Sequence, residues 1–351
     1  MRTAQRLALA LALLLAGGAP VGGEEPLSHA EWLAYLAHYV SPDGRVIDTG
    51  NGRISHSEGQ GYGMLLAVVH DDRQSFEHIW AWTRDALRVR DDPLFAWRFE
   101  PGAGGGAGGV TDTNNATDGD LLIAWALLEA GRRFAEPAHV EEADLILDAV
   151  REKLVVDAGP GPVLLPGAEG FERDDGVVVN LSYWVFPALQ AFADHDPEGP
   201  WQALVDTGFR LLDRARFGPD RLPPDWLLID GEVRLPDGFD PVFGYNAIRI
   251  PLYLAWSGLP RARDLLEPFE TYWASFDGEA PPPATLDLAT ARPGKDRLSR
   301  GGLAVAALAR FGARNRVSAR AMMPPLKPDD DYYSSTLLLL SKVALCKGRE
   351  P

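Results

Sequence analysis

The 351-residue chain has one cysteine, Cys346, and four methionines. A single thiol excludes an intrachain disulfide and a zinc site built on cysteine. Basic residues are also scarce: 34 Lys and Arg stand against 50 Asp and Glu, a formal net charge of −16. A surface of that sign repels nucleic acid and anionic membranes, so neither is expected as a partner. Past the first 23 residues no apolar run approaches the roughly 20 residues that span a bilayer. Strand-like runs are few, Val177–Val179 and Leu227–Val233, the second turned at Asp230-Gly231. The G-x-S-x-G elbow, the H-E-x-x-H motif and the Walker A loop are absent, and the seven histidines are scattered. No repeat of solenoid period is present.

What is there is an ordinary globular composition, 46% hydrophobic and 24% charged, which excludes wholesale disorder. Arg2 and Arg6 precede an apolar run, Leu7 to Leu15, and a small-residue stretch, Ala16 to Gly23. That order reads as a secretory signal peptide over residues 1–23, leaving a periplasmic or secreted protein with no membrane insertion after cleavage. From Ser28 onward amphipathic helices dominate. Ser28 and Glu31 form a candidate capping box ahead of Trp32–Tyr39. Ten further helical runs follow: Ser57–Val69, Arg73–Val89, Asp118–Phe134, Ala138–Leu154, Ser182–Ala193, Trp201–Ala215, Val242–Trp256, Ala262–Phe276, Gly302–Phe311 and Tyr332–Leu345. Pro251 should kink or end its helix. The Gly102–Gly109 stretch and Pro281–Pro283 read as loops without a composition shift, so residues 24–351 are expected to form one all-α domain of about a dozen helices.

Two stretches crowd polar residues of catalytic type. In Ser57-Glu58-Gly59-Gln60-Gly61-Tyr62-Gly63-Met64, glycines occupy the first turns of a helix, where each costs up to about 1 kcal/mol. Glycine in such a place lets something approach the backbone. Glu58 either faces that gap as a reactive carboxyl or simply complements the helix dipole. In Asn114-Asn115-Ala116-Thr117-Asp118-Gly119-Asp120, two Asp and two Asn exceed what one N-cap needs. Their oxygens could bind Ca²⁺, but the run does not fit an EF-hand loop. Carboxylates, amides and rings in an acidic exported chain suit glycoside hydrolysis, which uses one protonated and one ionised carboxyl group. The ten Trp and nine Tyr add flat faces that stack on sugars, although Trp is usually core.

These stretches resemble glycoside hydrolase family 8, which carries S-E-G-x-G-Y-G-M and A-[ST]-D-[AG]-D followed by a small, apolar helix. Ser57 to Met64 and Ala116 to Asp120, running on to Ala130 and Phe134, match without exception. The resemblance extends through Ser182-Tyr183-Trp184, Pro224-Asp225-Trp226, Gly244 to Arg249 and Asp331-Tyr332-Tyr333. It implies an (α/α)6 barrel and inversion of configuration without a cofactor. Glu58 is implied as general acid and Asp118 as the carboxylate that grips the sugar. The nearest implied activity is an endo-β-1,4-glucanase (cellulase) acting on β-1,4-linked polysaccharide, in functional association with a cellulose synthase complex. A monomer is expected. Trp97, Trp184 and Trp226 are expected sugar platforms, and Tyr62, Tyr245 and Tyr333 polar contacts. Asp331 joins them on the resemblance.

A helix N-terminus favours an ionised carboxylate, whereas a general acid must hold its proton. Glu58 therefore needs an opposing effect, from burial beside Tyr62 or Trp97 or from an ionised Asp118. The chain departs from the family where many members carry the basic Asp of Y-D-A-x-R: here the residue is Asn246. An amide cannot take a proton from water, so Asn246, with Arg249 on the same helix face, is expected to position the water. The candidate bases are Asp240, Asp118, Asp112 and Glu169. Two alternatives stay open: a chitosanase or other β-1,4-glycanase of the family, or a weakened glucan-binding accessory protein.

Overall fold

The computed structural model describes residues 28–102, 107–159, 161–278 and 280–347. The expected signal peptide and residues 103–106 of the glycine-rich loop lie outside the described residues. In chain order the α-helices are α1 (His29–Tyr39), α2 (Ser57–Val69), α3 (Arg73–Leu87), α4 (Thr117–Arg133), α5 (Pro137–Lys153), α6 (Phe186–His195), α7 (Trp201–Arg214), α8 (Arg249–Ser257), α9 (Pro260–Leu265), α10 (Glu267–Ala274), α11 (Arg300–Phe311), α12 (Arg316–Met322) and α13 (Tyr332–Lys347). Among the described residues no helix is long and apolar enough to cross a membrane.

Hydrophobicity sorts these helices into two layers. Helix α2 buries every residue from Gly59 to Val68, and α4 every residue from Thr117 to Leu128. A helix apolar all round belongs inside. Helix α3 instead buries Phe76, Ile79, Trp80, Thr83 and Leu87, a single stripe at helical spacing, and so lies outside. The inner helices close a ring: α2 packs on α4, α4 on α6, α6 on α8, α8 on α11, α11 on α13 and α13 back on α2. Outside them, α3 packs on α2, α5 on α4, α7 on α6, α9 on α8, α10 on α11, and α12 on α11 and α13. Helix α1 joins α13 through Tyr35–Thr336 and Lys342–Glu31 hydrogen bonds of 3.1 and 2.5 Å. The fold is an (α/α)6 barrel.

Short strands decorate its ends: β1 (Ser55–His56), β2 (Ala96–Glu100), β3 (Gly109–Asn115), β4 (Val155–Asp157), β5 (Pro162–Leu164), β6 (Glu172–Arg173), β7 (Gly176–Val179), β8 (Leu227–Ile229), β9 (Val233–Arg234), β10 (Val242–Phe243), β11 (Leu286–Asp287) and β12 (Arg292–Pro293). The first three form one antiparallel sheet in the order β1-β2-β3. This sheet places Trp97 and His56 beside the entries to α2 and α4.

Several local expectations differ from what forms. Ser28 stands at the N-cap of α1, but its side chain makes no cap bond. Glu31 is engaged by Lys342 instead, so the capping box does not form. The run expected to be helical from Val242 begins as β10, turns through 244–248 and becomes α8 only at Arg249. Pro251 therefore sits in the first turn, where the missing N–H breaks no bond. The run from Ser182 opens with a 3₁₀ turn, Leu181–Tyr183, before α6. The run Ala262–Phe276 divides into α9 and α10. The β2–β3 hairpin and α12 were not signalled by periodicity.

Candidate active site

Inner-helix N-termini converge on one open cavity of about 660 Å³. Residues from the starts of α2, α4, α8 and α13, and from the turn ahead of α6, line it: Glu58, Asp118, Arg249, Tyr333 and Tyr183. Trp97, Tyr245 and Asn246 complete the walls, with Asp48, His56 and Asp331 at the rim.

The glycines of the first motif allow this convergence. A Cβ on Gly61 would lie 2.6 Å from the Leu122 Cβ. One on Gly119 would lie 2.1 Å from Ser57 Oγ and 2.7 Å from the Glu58 backbone nitrogen. Helices α2 and α4 touch backbone to backbone here, which places the second residue of each, Glu58 and Asp118, on one wall. His56 caps α2, its Nδ1 accepting from Gly59 N–H at 3.0 Å. The imidazole stands 3.7 Å from Glu58 and 3.5 Å from Asp48.

Arg249, only 3% exposed, is the hub. Its Nη1 donates to Glu58 Oε1 and to Asp118 Oδ2, the latter at 2.8 Å. Its Nη2 donates to Ser182 Oγ at 3.0 Å and to Asn246 Oδ1 at 2.8 Å. The Tyr183 ring lies 5.7 Å from the guanidinium carbon. Beneath the cavity, Tyr62 donates to Glu58 Oε1 at 3.0 Å and pairs with the Tyr253 hydroxyl. Burial pushes the Asp118 carboxyl up, to about 8, with Asp120 adding to the effect. The Gly119 N–H at 2.9 Å pulls the other way, as does the Arg249 guanidinium.

The second aspartate of the motif does a different job. Asp120 accepts from Phe95 N–H at 2.9 Å and from Asn115 Nδ2 at 2.7 Å. It therefore ties both ends of the β2–β3 hairpin to α4. Burial raises its carboxyl to about 7, against those two donors.

The expected sugar platforms separate. Trp97 faces the cavity, with Nε1 donating to Asp112 at 2.7 Å. Tyr245 is 55% exposed at the same wall, and its carbonyl accepts from Tyr333 at 2.5 Å. Trp184 is 1% exposed and donates to the Leu204 carbonyl at 2.9 Å. It is core and has no face for a sugar. Tyr62 is also buried and reaches the cavity only through Glu58. Trp226 stacks on Phe171 at 5.8 Å and packs against Phe239 at 4.9 Å. It borders a separate cleft of about 320 Å³ shared with Asp225 and the exposed Asp240. Asp112 and Glu169 are tied into the hairpin rim, Asp112 by Trp97 and Asn114, Glu169 by Asn114. Asp331 caps α13, accepting from Ser334 N–H at 2.6 Å.

Tyr183 and Ser182 were not anticipated as working residues, nor was Asp225 as the carboxylate that accepts from Gly244 and Ala247 N–H and so holds the turn carrying Asn246. The first two adjoin Trp184 in one tripeptide, so the motif pointed to the right segment and the wrong ring.

Paired carboxylates, a buried guanidinium and exposed rings at one end of an (α/α)6 barrel define a glycoside hydrolase. The chain belongs to glycosyl hydrolases family 8, whose model matches residues 5–347. It is 42% identical over 317 residues to the probable endoglucanase of Novacetimonas hansenii, covering 90% of each chain. Among solved structures it is similar to the endo-beta-1,4-glucanase CMCax of Acetobacter xylinum (40% identity, TM-score 0.82, 92% of this chain and 98% of that one). It is also similar to the family 8 endoglucanase Cel10 of Klebsiella pneumoniae (36% identity, TM-score 0.83, 92% and 100%).

Proposed function

We infer that this chain is an endo-β-1,4-glucanase of family 8 that hydrolyses glucan with inversion. The observation that carries the reading is the convergence of Glu58 and Asp118 on Arg249 in a ring-walled open cavity. An open cavity admits the middle of a chain, as an endo-acting enzyme needs. Trp97 and Tyr245 offer ring faces to the sugars. Glu58 protonates the leaving oxygen, with Tyr62 holding its carboxyl in place. A guanidinium contact favours the ionised carboxylate, so donation requires the Glu58–Arg249 pair to part when sugar enters.

Asp118 serves as the sugar anchor rather than as the base. Glu58 and Asp118 accept from one nitrogen, so their nearest oxygens lie within about 6 Å of each other, the span of two hydrogen bonds. An inverting acid and base stand about 6.5–9.5 Å apart, with a water between them. Asp240 belongs to the other cleft. Asn246 and Arg249 place the water: the amide oxygen already accepts from Arg249 and retains a second lone pair, and the water's proton leaves to solvent in the open cavity, from which Glu58 is reprotonated.

The deciding experiment measures new reducing ends released from carboxymethylcellulose. Release that vanishes in Glu58→Gln is the expected result. Binding without release by the native protein would move the reading to a glucan-binding accessory. Export to the periplasm or medium rests on the basic, apolar, small order of residues 1–23, and cell fractionation tests it. The association with cellulose synthesis rests on the family resemblance.

A further inference from the structure

Arg249 is gripped by one short turn, and that turn is organised by a single asparagine. Between β7 and α6 the chain makes the 3₁₀ turn Leu181–Tyr183, with Asn180 as its N-cap. Leu181 and Trp184 are each 1% exposed and fix the turn to the core. The two residues between them face the guanidinium. Ser182 Oγ accepts from Arg249 Nη2 at 3.0 Å. The guanidinium carbon lies over the Tyr183 ring, 5.7 Å from its centre.

Asn180 sets the direction of the Ser182 hydroxyl. Its Oδ1 accepts from Ser182 N–H at 3.0 Å and from Ser182 Oγ at 2.7 Å. An amide oxygen only accepts, so the hydroxyl hydrogen points at Asn180 and an oxygen lone pair is left for Arg249. Without that acceptor the hydroxyl rotates freely, and some of its orientations set a hydrogen against the guanidinium. Asn180, Ser182 and Arg249 are all buried, where a hydrogen bond to a charged group is strong and an unmet one is costly.

Arg249 donates to Glu58, Asp118, Ser182 and Asn246. Of these partners, Ser182 alone has no part in the chemistry. Glu58 must part from the guanidinium to act as acid, Asp118 anchors the sugar, and Asn246 turns its free lone pair to the water. Ser182 is also neutral, so it holds the guanidinium without adding a charge that competes with the two acids. We propose that Ser182, oriented by Asn180, is a positioning residue: it keeps Arg249 on Asp118 and Asn246 while Glu58 is released to protonate the leaving oxygen. The inference rests on the reading that Glu58 is the acid and that Arg249 leaves it when sugar enters.

The test compares Ser182→Ala, Asn180→Ala and the double exchange in the full chain, using carboxymethylcellulose kinetics across pH and thermal melting. Ser182→Ala keeps the Asn180 cap on the backbone N–H of residue 182, so the turn stays formed. Its kcat should fall at least about tenfold, with KM changed by no more than about threefold, the signature of lost positioning rather than lost binding. Glu58 is surrounded by Arg249, Asp118, Tyr62 and His56, and Ser182→Ala loosens only the first. A guanidinium left leaning on Glu58 favours the ionised carboxylate, so the basic limb of the kcat profile should move down by at least about half a pH unit. Lost packing alone would leave that limb in place. Asn180→Ala should lower kcat and also melt lower, because it removes the cap. In the Ser182→Ala background, removing Asn180 should cost no more than about a further threefold in kcat, since the hydroxyl it directs is already gone.

Native kcat or an unmoved basic limb in Ser182→Ala overturns the proposal, and this holds even if Asn180→Ala fails to fold. Losses in kcat that multiply in the double exchange overturn the part given to Asn180. An inactive native protein overturns the hydrolase reading and the proposal with it. An active native protein beside an equally active Ser182→Ala overturns the proposal alone.

Discussion

Gly119 lies against Ser57 with no room for a methyl group: a Cβ there would stand 2.1 Å from Ser57 Oγ. This contact sets the distance between the starts of α2 and α4, and with it the spacing of Glu58 and Asp118. Gly119→Ala must push the two helix starts apart. Overpacking of this kind costs about 1–3 kcal/mol. A shift approaching 1 Å in a catalytic pair costs on the order of 100-fold in rate. The expected variant is folded, melts lower and loses activity out of proportion to its stability. Parallel melting curves and carboxymethylcellulose assays check this, and near-native activity would separate the helix contact from the chemistry.

Trp97 and Trp184 make a controlled pair, since both flank family motifs and only one faces the cavity. Trp97→Ala should leave the melting temperature within a few degrees of native and raise KM for soluble glucan about tenfold, as a lost stacking face worth about 1 kcal/mol or more does. Trp184→Ala should instead cost about 3–5 kcal/mol of stability by opening a core cavity, with KM unchanged in whatever fraction stays folded. A reversed pattern would mean that the groove runs elsewhere.

That pair also shows what was legible in the sequence. The barrel was legible through the family motifs, whereas the inner layer was not: every run was read as amphipathic, and α2 and α4 prove buried nearly all round. Glu58 and Asp118 were readable because each sits in a dense motif at the start of a helix; Arg249 was expected inside a helix together with Asn246 and instead opens α8, with Asn246 in the turn before it. The orientation of individual rings was not readable, because Trp184 and Tyr183 are sequence neighbours and a single 3₁₀ turn decides which faces the cavity. Asp225 was missed as a working residue for a related reason. Its partners, Gly244 and Ala247, lie about 20 residues ahead, and a hydrogen bond across a turn leaves no periodicity. The β2–β3 hairpin has no alternating pattern because most of β3 is exposed, and Asp120 holds its ends from outside the strands.

Asp118 gives a pH signature in stability. Its folded carboxyl lies at about 8, against an ordinary value of 3.8, because burial disfavours the charge. The folded state then holds this proton more tightly than the unfolded chain does. The stability it contributes is complete below the unfolded value and is lost as pH rises from about 4 to about 8. Asp118→Asn cannot titrate and should escape that loss. The melting temperature of the variant relative to native should therefore climb between pH 4 and pH 8 and level off above, while activity is lost throughout. A flat difference across that range would mean that Arg249 keeps Asp118 ionised in the folded protein.

The anomer released first decides what the Glu58–Asp118 spacing is for. Carboxyl groups that share one guanidinium nitrogen stand closer than an inverting pair and nearer to the about 5–5.5 Å of a retaining one, in which the second carboxylate attacks the sugar. In this site, however, Asp118 Oδ2 is taken by Arg249 at 2.8 Å and Oδ1 by Gly119 N–H at 2.9 Å. A carboxyl group held by donors on both oxygens is a poor nucleophile and a good fixed anchor. The water must then approach from the opposite side of the ring, and Asn246, held on the other Arg249 nitrogen from Asp118, is the polar group available to place it. Proton NMR of cello-oligosaccharide cleavage should show the α-anomer appearing first and mutarotating to the β-form. Asp240→Asn should leave both rate and anomer unchanged, because that residue borders the other cleft. A β-anomer appearing first would make Asp118 the nucleophile, and Asn246 would no longer be needed to place a water for attack.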